Sequence, residues 1–238
     1  MTGTILNVLT VVIGGFLGML FGSRLPEKLR HTVVAGLGLF TLAYGVKMFT
    51  QTQNSLIVVM SLLFGVLLGE WLKIEEGLEK LGRWLEARFM KNGDGASQAR
   101  FIRGFLTASL VFCIGPMAIL GSIQDGLTGD YQTLAIKAIL DGFAALAFAS
   151  SLGVGVVFSI LPLFVYQGGI SLLAAQVQSF MTADMMTEMS ATGGVLLLGI
   201  ALSSLLEIKH IRVGNFLPAL LIAPLLVWVV ALLGFQLP

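Results

Sequence analysis

Eight stretches of this chain approach or meet the length of apolar helix that spans a lipid bilayer, and most other readings follow from them. A crossing helix needs about 20 apolar residues to pass through the hydrocarbon core. Residues 4–22, 32–49, 56–72, 101–123, 133–152, 159–180, 191–206 and 216–235 supply such stretches. Between them the chain is poor in charge: 11% of its 238 residues are charged and 56% are hydrophobic, against about 25% charged in a soluble domain. A soluble fold with so little polar surface could not cover itself. The expectation is an all-α polytopic membrane helix bundle in a single integral membrane domain, with lipid as its principal partner. Residues 131–180 are too many for one crossing, and Gly153-Val154-Gly155 with Pro162 are the signals that divide them into the fifth and sixth spans.

The basic residues test this map independently of hydropathy, because short cytoplasmic loops retain Lys and Arg. Arg24, Lys28 and Arg30 follow the first span; Lys73, Lys80, Arg83, Arg88, Lys91, Arg100 and Arg103 lie between the third and fourth; Lys209 and Arg212 follow the seventh. With eight spans all of them fall on one side. Asp125, Asp130, Asp184 and Glu188 fall on the other, with Lys47 as the one basic residue near an end there. Both termini are then extracytoplasmic. No cleavable signal peptide is expected, since the N-terminus lacks a positive leader region. The one long connection, residues 73–90, repeats Ile74, Leu78, Leu81, Leu85 and Phe89 at helical spacing among charged residues. It reads as an amphipathic helix on the cytoplasmic surface, anchored by Trp84 and ended by Asn92-Gly93-Asp94-Gly95.

Small residues mark the packing faces. Gly14, Gly18 and Gly22 repeat every four residues in the first span, and Gly65 and Gly69 do so in the third. Such spacing bares the backbone on one face and lets another helix approach closely. It serves tight packing, a sliding surface or self-association into a homo-oligomer. Spans 1–2 and 7–8 each form a pair around a short basic loop, which hints at a repeat.

Ionisable groups at membrane depth are expensive and face a partner or a wet cavity. Lys137 and Asp141 stand four residues apart in the fifth span, on one helix face, followed by a run of alanines and serines. This pair is either a structural ion pair or a substrate or ion site. In the fourth span Gly115-Pro116 breaks the helix, and broken helices build ion sites in many transporters. Asp125 and Asp130 sit near the extracytoplasmic mouth, where they attract cations or serve as solvated loop carboxylates. Asn7, Gln167 and Asn215 are the remaining candidates for a polar lining; Asn215 before Pro218 also suits the cap of the last span.

Several function classes drop out. A net charge of +1 provides no field for nucleic acid. The single Cys113 excludes an internal disulfide or a cysteine metal cluster, and His31 and His210 lie at segment ends. No phosphate-binding loop, dinucleotide glycine fingerprint or zinc-protease motif occurs, and no histidine base accompanies Cys113 or the serines. The chain is therefore expected not to be an enzyme and to carry no cofactor or metal.

These residues resemble a known family. Ile5-Leu6-Asn7 with the first-span glycines, Leu25-Pro26, Gly65 with Gly69-Glu70, Val111-Phe112-Cys113 with Gly115, Thr128-Gly129-Asp130, Lys137 with Leu140-Asp141, Gly193-Gly194-Val195 and Asn215 with Leu217-Pro218-Ala219 are similar to the YqgA-like bacterial inner-membrane proteins, a family labelled as a domain of unknown function. The resemblance covers essentially the whole chain and implies a multi-pass protein of the bacterial cytoplasmic membrane, with no substrate assigned. Asp141-Gly142-Phe143-Ala144 also looks like a helix of small bacterial cation exporters. Three classes of function stay open: a secondary transporter or exporter of a small ion or polar solute, a membrane scaffold or accessory subunit, and an oligomeric channel.

Overall fold

The computed structural model describes residues 1–22, 26–89 and 95–233. Arg24, Lys91, the Asn92-Gly93-Asp94 part of the expected turn and the end of the last span at Phe235 lie outside the described residues. Among the described residues 86% are helical, and none lies in a strand. Its helices are α1 (Thr2–Gly22), α2 (Glu27–Phe49), α3 (Ser55–Leu72), α4 (Ile74–Phe89), α5 (Gly95–Cys113), α6 (Pro116–Leu127), α7 (Gln132–Leu152), α8 (Gly155–Phe158), α9 (Ile160–Leu172), α10 (Ala174–Phe180), α11 (Ala183–Ile200) and α12 (Ala219–Leu232). A π turn (Ala201–Leu205) continues α11, and a 3-10 turn (Val213–Phe216) precedes α12. Large apolar side chains such as Phe40, Leu56, Trp71, Phe143, Val165 and Leu221 face outward. In water such a surface would be an aggregation site; in lipid it is the solvent-facing side.

Among the described residues, seven helices or helix runs are long and apolar enough to cross a membrane, and α5 with α6 makes an eighth if the bent pair counts as one. The two lie 63° apart. α5 stops at Cys113, Ile114 and Gly115 bend away, and Pro116 opens α6. Pro116 therefore occupies the first position of a new helix, where its missing N–H is harmless, and the break expected at Gly115-Pro116 is present. Gly115 has φ +149°, a backbone region open to glycine and strained for other residues. Gly104 of α5 lies against Leu152 at one end of α7, and Gly121 of α6 lies against Leu134 at the other, so the pair runs antiparallel along the whole of α7. α1 lies parallel to α7: Gly14 meets Gly142, Gly18 meets Leu146 and Gly22 meets Ser150, a constant offset. Parallel neighbours require an odd number of crossings between them, which α2, α3 and the α5–α6 pair supply. With the bent pair taken as one, the described residues hold eight candidate crossings.

By contact the residues form two compact units interleaved in sequence. One comprises Met1–Leu37, Leu78–Cys113 and Met117–Val177; the other comprises Gly38–Gly77, Ile114–Pro116 and Gln178–Pro238. In the first unit the α1–α7 seam is central, with α5, α6 and α9 against it. α4 docks Leu85 into a core with Phe101 and Phe105 and leaves Trp84 and Phe89 exposed. Gly95, expected to help end this helix, instead begins α5.

In the second unit Gly65 and Gly69 of α3 lie against Ala219 and Asn215, and Ile57, Met185 and Val227 share a core. α11 begins at Ala183, well before the apolar stretch at residue 191. Asp184 and Glu188, read as loop carboxylates, therefore sit within its opening turns. Glu188 is fully buried there and accepts from the Thr52 hydroxyl (2.6 Å) and the backbone N–H groups of Gln53 (2.7 Å) and Asn54 (3.0 Å). It pins the α2–α3 turn. Hydrogen bonds to a charged acceptor contribute roughly 1.5–3 kcal/mol each, so Glu188→Ala should lower stability by about 3 kcal/mol or more, read as a fall in the melting temperature of the purified protein in detergent.

The repeat is larger than paired hairpins. Residues 15–25 match residues 142–152 at Gly15, Phe16, Phe21, Ser23 and Leu25. Residues 60–68 match 189–197 at Met60, Ser61, Gly65, Val66, Leu67 and Leu68, and Phe105-Leu106 with Ala108 and Leu110 matches Phe216-Leu217 with Ala219 and Leu221. Segments of α1, α3 and α5 thus resemble segments of α7, α11 and the start of the last helix, in the same order. The numerical offset falls from 129 to 111 between the second match and the third, where the 16-residue α4 stands in the first copy and a short turn in the second. α1 and α7 are the corresponding first helices of the two copies.

Candidate functional site

The Lys137–Asp141 pair forms on one face of α7, as i, i+4 spacing requires. Both are nearly buried, at 5% and 8% exposure. Taking two charges out of water is tolerable only where geometry and further hydrogen bonds compensate. The main addition comes from α1, where Asn7 Nδ2 donates to Asp141 Oδ2 (2.9 Å) and to Gln167 Oε1 of α9 (3.3 Å). These two acceptors orient the Asn7 amide, since the opposite flip would set its oxygen against two others. Three helices therefore converge on one buried cluster of Asn7, Lys137, Asp141 and Gln167. α9 can reach α1 because Gly153, with φ +81°, turns the chain after α7 and sends it back antiparallel.

The cluster is incompletely bonded. Asn7 Oδ1 and Gln167 Nε2 are buried with no hydrogen-bond partner, one acceptor and one donor directed at the same interior. Near the N-terminal end of α1, Asp125 of α6 is buried; its Oδ2 accepts from Gly3 N–H (3.0 Å) and its Oδ1 lies 3.1 Å from the Met1 amino group. Thr4, Ser122 and Ser171 have buried hydroxyls without partners. Sequence reading missed these three, because isolated hydroxyls in apolar runs are common. The available signal was their position one helical turn from Asn7, Asp125 and Gln167.

Two candidates lie elsewhere. Asp130 is exposed in the α6–α7 turn, where it accepts from Gln132 N–H (3.0 Å). Asn215 belongs to the second unit, and it caps α4 rather than the last helix: its Oδ1 accepts from Glu75 N–H (2.8 Å), while Glu75 Oε2 accepts from Gly214 N–H (2.5 Å). These bonds are structural. No group of three or more His, Cys, Asp or Glu able to hold a metal ion occurs among the described residues.

The family described as "Protein of unknown function (DUF554)" matches residues 2–228. The chain belongs to this family. Among its relatives is "Uncharacterized membrane protein YdfK" of Bacillus subtilis (strain 168), 32% identical over 240 residues, covering 99% of this chain and all of that one. Another is "Uncharacterized protein YqgA" of Escherichia coli (strain K12), 34% identical over 221 residues, covering 93% of this chain and 94% of that one. No solved structure matches the chain. Family membership accords with a multi-pass membrane protein and names no substrate.

Proposed function

We propose that this protein is a secondary transporter or exporter that moves a small ion or polar solute through its first unit. The observation that carries this reading is the buried, incompletely bonded cluster of Asn7, Lys137, Asp141 and Gln167 on three crossings. A purely structural ion pair gains from complete satisfaction, because an unpaired buried polar group costs roughly 1–3 kcal/mol. Polar atoms left open beside an intramembrane charge pair are what a transported species needs. The interrupted α5–α6 crossing packed against α7 supports the same reading, since broken helices accompany substrate sites in transporters. The protein resides in the bacterial cytoplasmic membrane, with its basic connections in the cytoplasm and the Asp125 end outside, by the distribution of Lys and Arg.

The test is flux in reconstituted vesicles, scanned over protons, monovalent cations and small polar metabolites. Asp141→Asn removes the anion at the centre of the cluster and is expected to reduce the flux at least about tenfold, equivalent to roughly 1.4 kcal/mol. Unchanged flux for every species the wild type moves would remove Asp141 from the mechanism. A scaffold is the second reading, favoured by the exposed Trp84 and Phe89 of α4; a stable stoichiometric complex with no flux in vesicles would select it.

A further inference from the structure

We infer that the first unit contains a hydrated half-pathway, a file of water molecules leading from Asp125 to the Lys137–Asp141 pair and ending there. Four helices each present two buried polar residues one turn apart: Thr4 and Asn7 on α1, Ser122 and Asp125 on α6, Gln167 and Ser171 on α9, Lys137 and Asp141 on α7. Close contacts join these helices into a ring at two levels. Gly3 N–H reaches Asp125, and Gly126 sits on the Ser171 carbonyl; about one turn deeper, some 6 Å by helical rise, Asn7 reaches Gln167 and Asp141.

The hydroxyls carry the argument. A buried Ser or Thr in a helix ordinarily bonds back to the carbonyl four residues earlier. Ser61, Ser109, Ser190 and Thr192 of this protein all do so. Ser122 and Ser171 do not, nor does Thr107 of α5, although they are equally buried, and Thr4 in the first turn has no carbonyl four residues before it; on these four helices the oxygens of Thr4, Ser122 and Ser171 join Asn7 Oδ1 and Gln167 Nε2 as polar atoms without partners. Five such atoms grouped around one ring of helices are too many for a dry interior, where buried polar groups are paired with protein or water. Hydroxyls, an amide oxygen and an amide nitrogen together require a ligand that both donates and accepts. Water does both, and buried water typically makes about three hydrogen bonds. Beyond Asp141 the file stops. Gly14 lies on the Gly142 carbonyl and Gly18 on that of Leu146, and Val11 and Ala145 fill the seam with fully buried apolar atoms. The pathway shares Asp141 with the transport reading but rests on packing alone.

Accessibility of introduced thiols tests it. In a Cys113→Ala background, Ser122→Cys and Ser171→Cys are near-isosteric probes of the file. Leu140→Cys probes the outward face beside Asp141, and Asp130→Cys marks the aqueous end. Right-side-out and inside-out vesicles are treated with silver ion, small and membrane-impermeant, and the remaining thiols are counted by mass tagging after denaturation. Thiolate is the reactive form and needs a polar environment, so Ser122→Cys and Ser171→Cys are expected to be blocked at least about tenfold faster than Leu140→Cys. They should be blocked only from the side on which Asp130→Cys reacts. Block no faster than at Leu140→Cys at both positions, with melting temperatures unchanged, would overturn the pathway; block from both sides would overturn its closure at the glycine seam. Flux without this pattern leaves the transport reading intact and removes the hydrated file. The pattern without flux does the reverse.

Discussion

Replacing Gly14 and Gly18 together by leucine is expected to abolish the folded protein. A Cβ at Gly14 would overlap the carbonyl oxygen of Gly142, and one at Gly18 that of Leu146. Both obstacles are backbone on a parallel helix, so no rotamer change relieves them. Either α1 leaves the seam, separating Asn7 from Asp141 and Gln167, or α7 shifts with everything packed against it. Helix association in a bilayer depends on close packing of this kind, because lipid supplies no hydrophobic drive between helices. The loss should exceed the roughly 1–3 kcal/mol of ordinary overpacking, and the variant should fail to give a monodisperse peak in detergent. Gly36 and Gly77 provide the contrast. Each lies in a helix with open space where a Cβ would go, so Gly36→Ala and Gly77→Ala should be neutral or stabilising by up to roughly 1 kcal/mol, the difference in helix propensity. Thermal melts of the two groups would separate steric contact from a general intolerance of glycine loss.

Breaking the Lys137–Asp141 pair should be the second largest effect, and its asymmetry is informative. Lys137→Met leaves Asp141 buried with Asn7 as its remaining hydrogen-bond donor. Removing one partner of a buried pair costs roughly 3–5 kcal/mol, because the other charge is left uncompensated, whereas replacing both by apolar residues of similar volume is often close to neutral. Lys137→Met and Asp141→Leu should each destabilise strongly, and Lys137→Met/Asp141→Leu should recover most of the loss. A double-mutant cycle on melting temperatures measures this coupling. Simple addition of the two single effects would mean that the charges do not interact in the folded protein.

Much of the architecture was legible in sequence because lipid imposes a strong constraint. A backbone with no water to bond must satisfy itself within helices, so apolar length and basic loops mark out the candidate crossings. The same logic fails where a polar residue is satisfied by protein. Glu188 looked like a loop carboxylate because nothing local announces that Thr52 and the N–H groups of Gln53 and Asn54 will surround it. Asn215 preceded a helix and looked like its cap, yet its partner is Glu75, 140 positions away in sequence. For the site, Lys137 and Asp141 could be paired from spacing alone, because a single helix sets their separation. Their meeting with Asn7 and Gln167 depends on which crossings adjoin, and hydropathy carries no such information. The duplication carries some of it, since Gly14-Gly15-Phe16 corresponds to Asp141-Gly142-Phe143 and the two copies of this helix pack side by side.

The central claim is that the buried cluster serves a moving species and is not merely a structural lock. Flux through vesicles containing the Lys137→Met/Asp141→Leu variant tests it most directly, because that variant separates folding from function. The account predicts a melting temperature near that of the wild type together with loss of the wild-type flux. A folded double variant that moves the same species at the wild-type rate would contradict it.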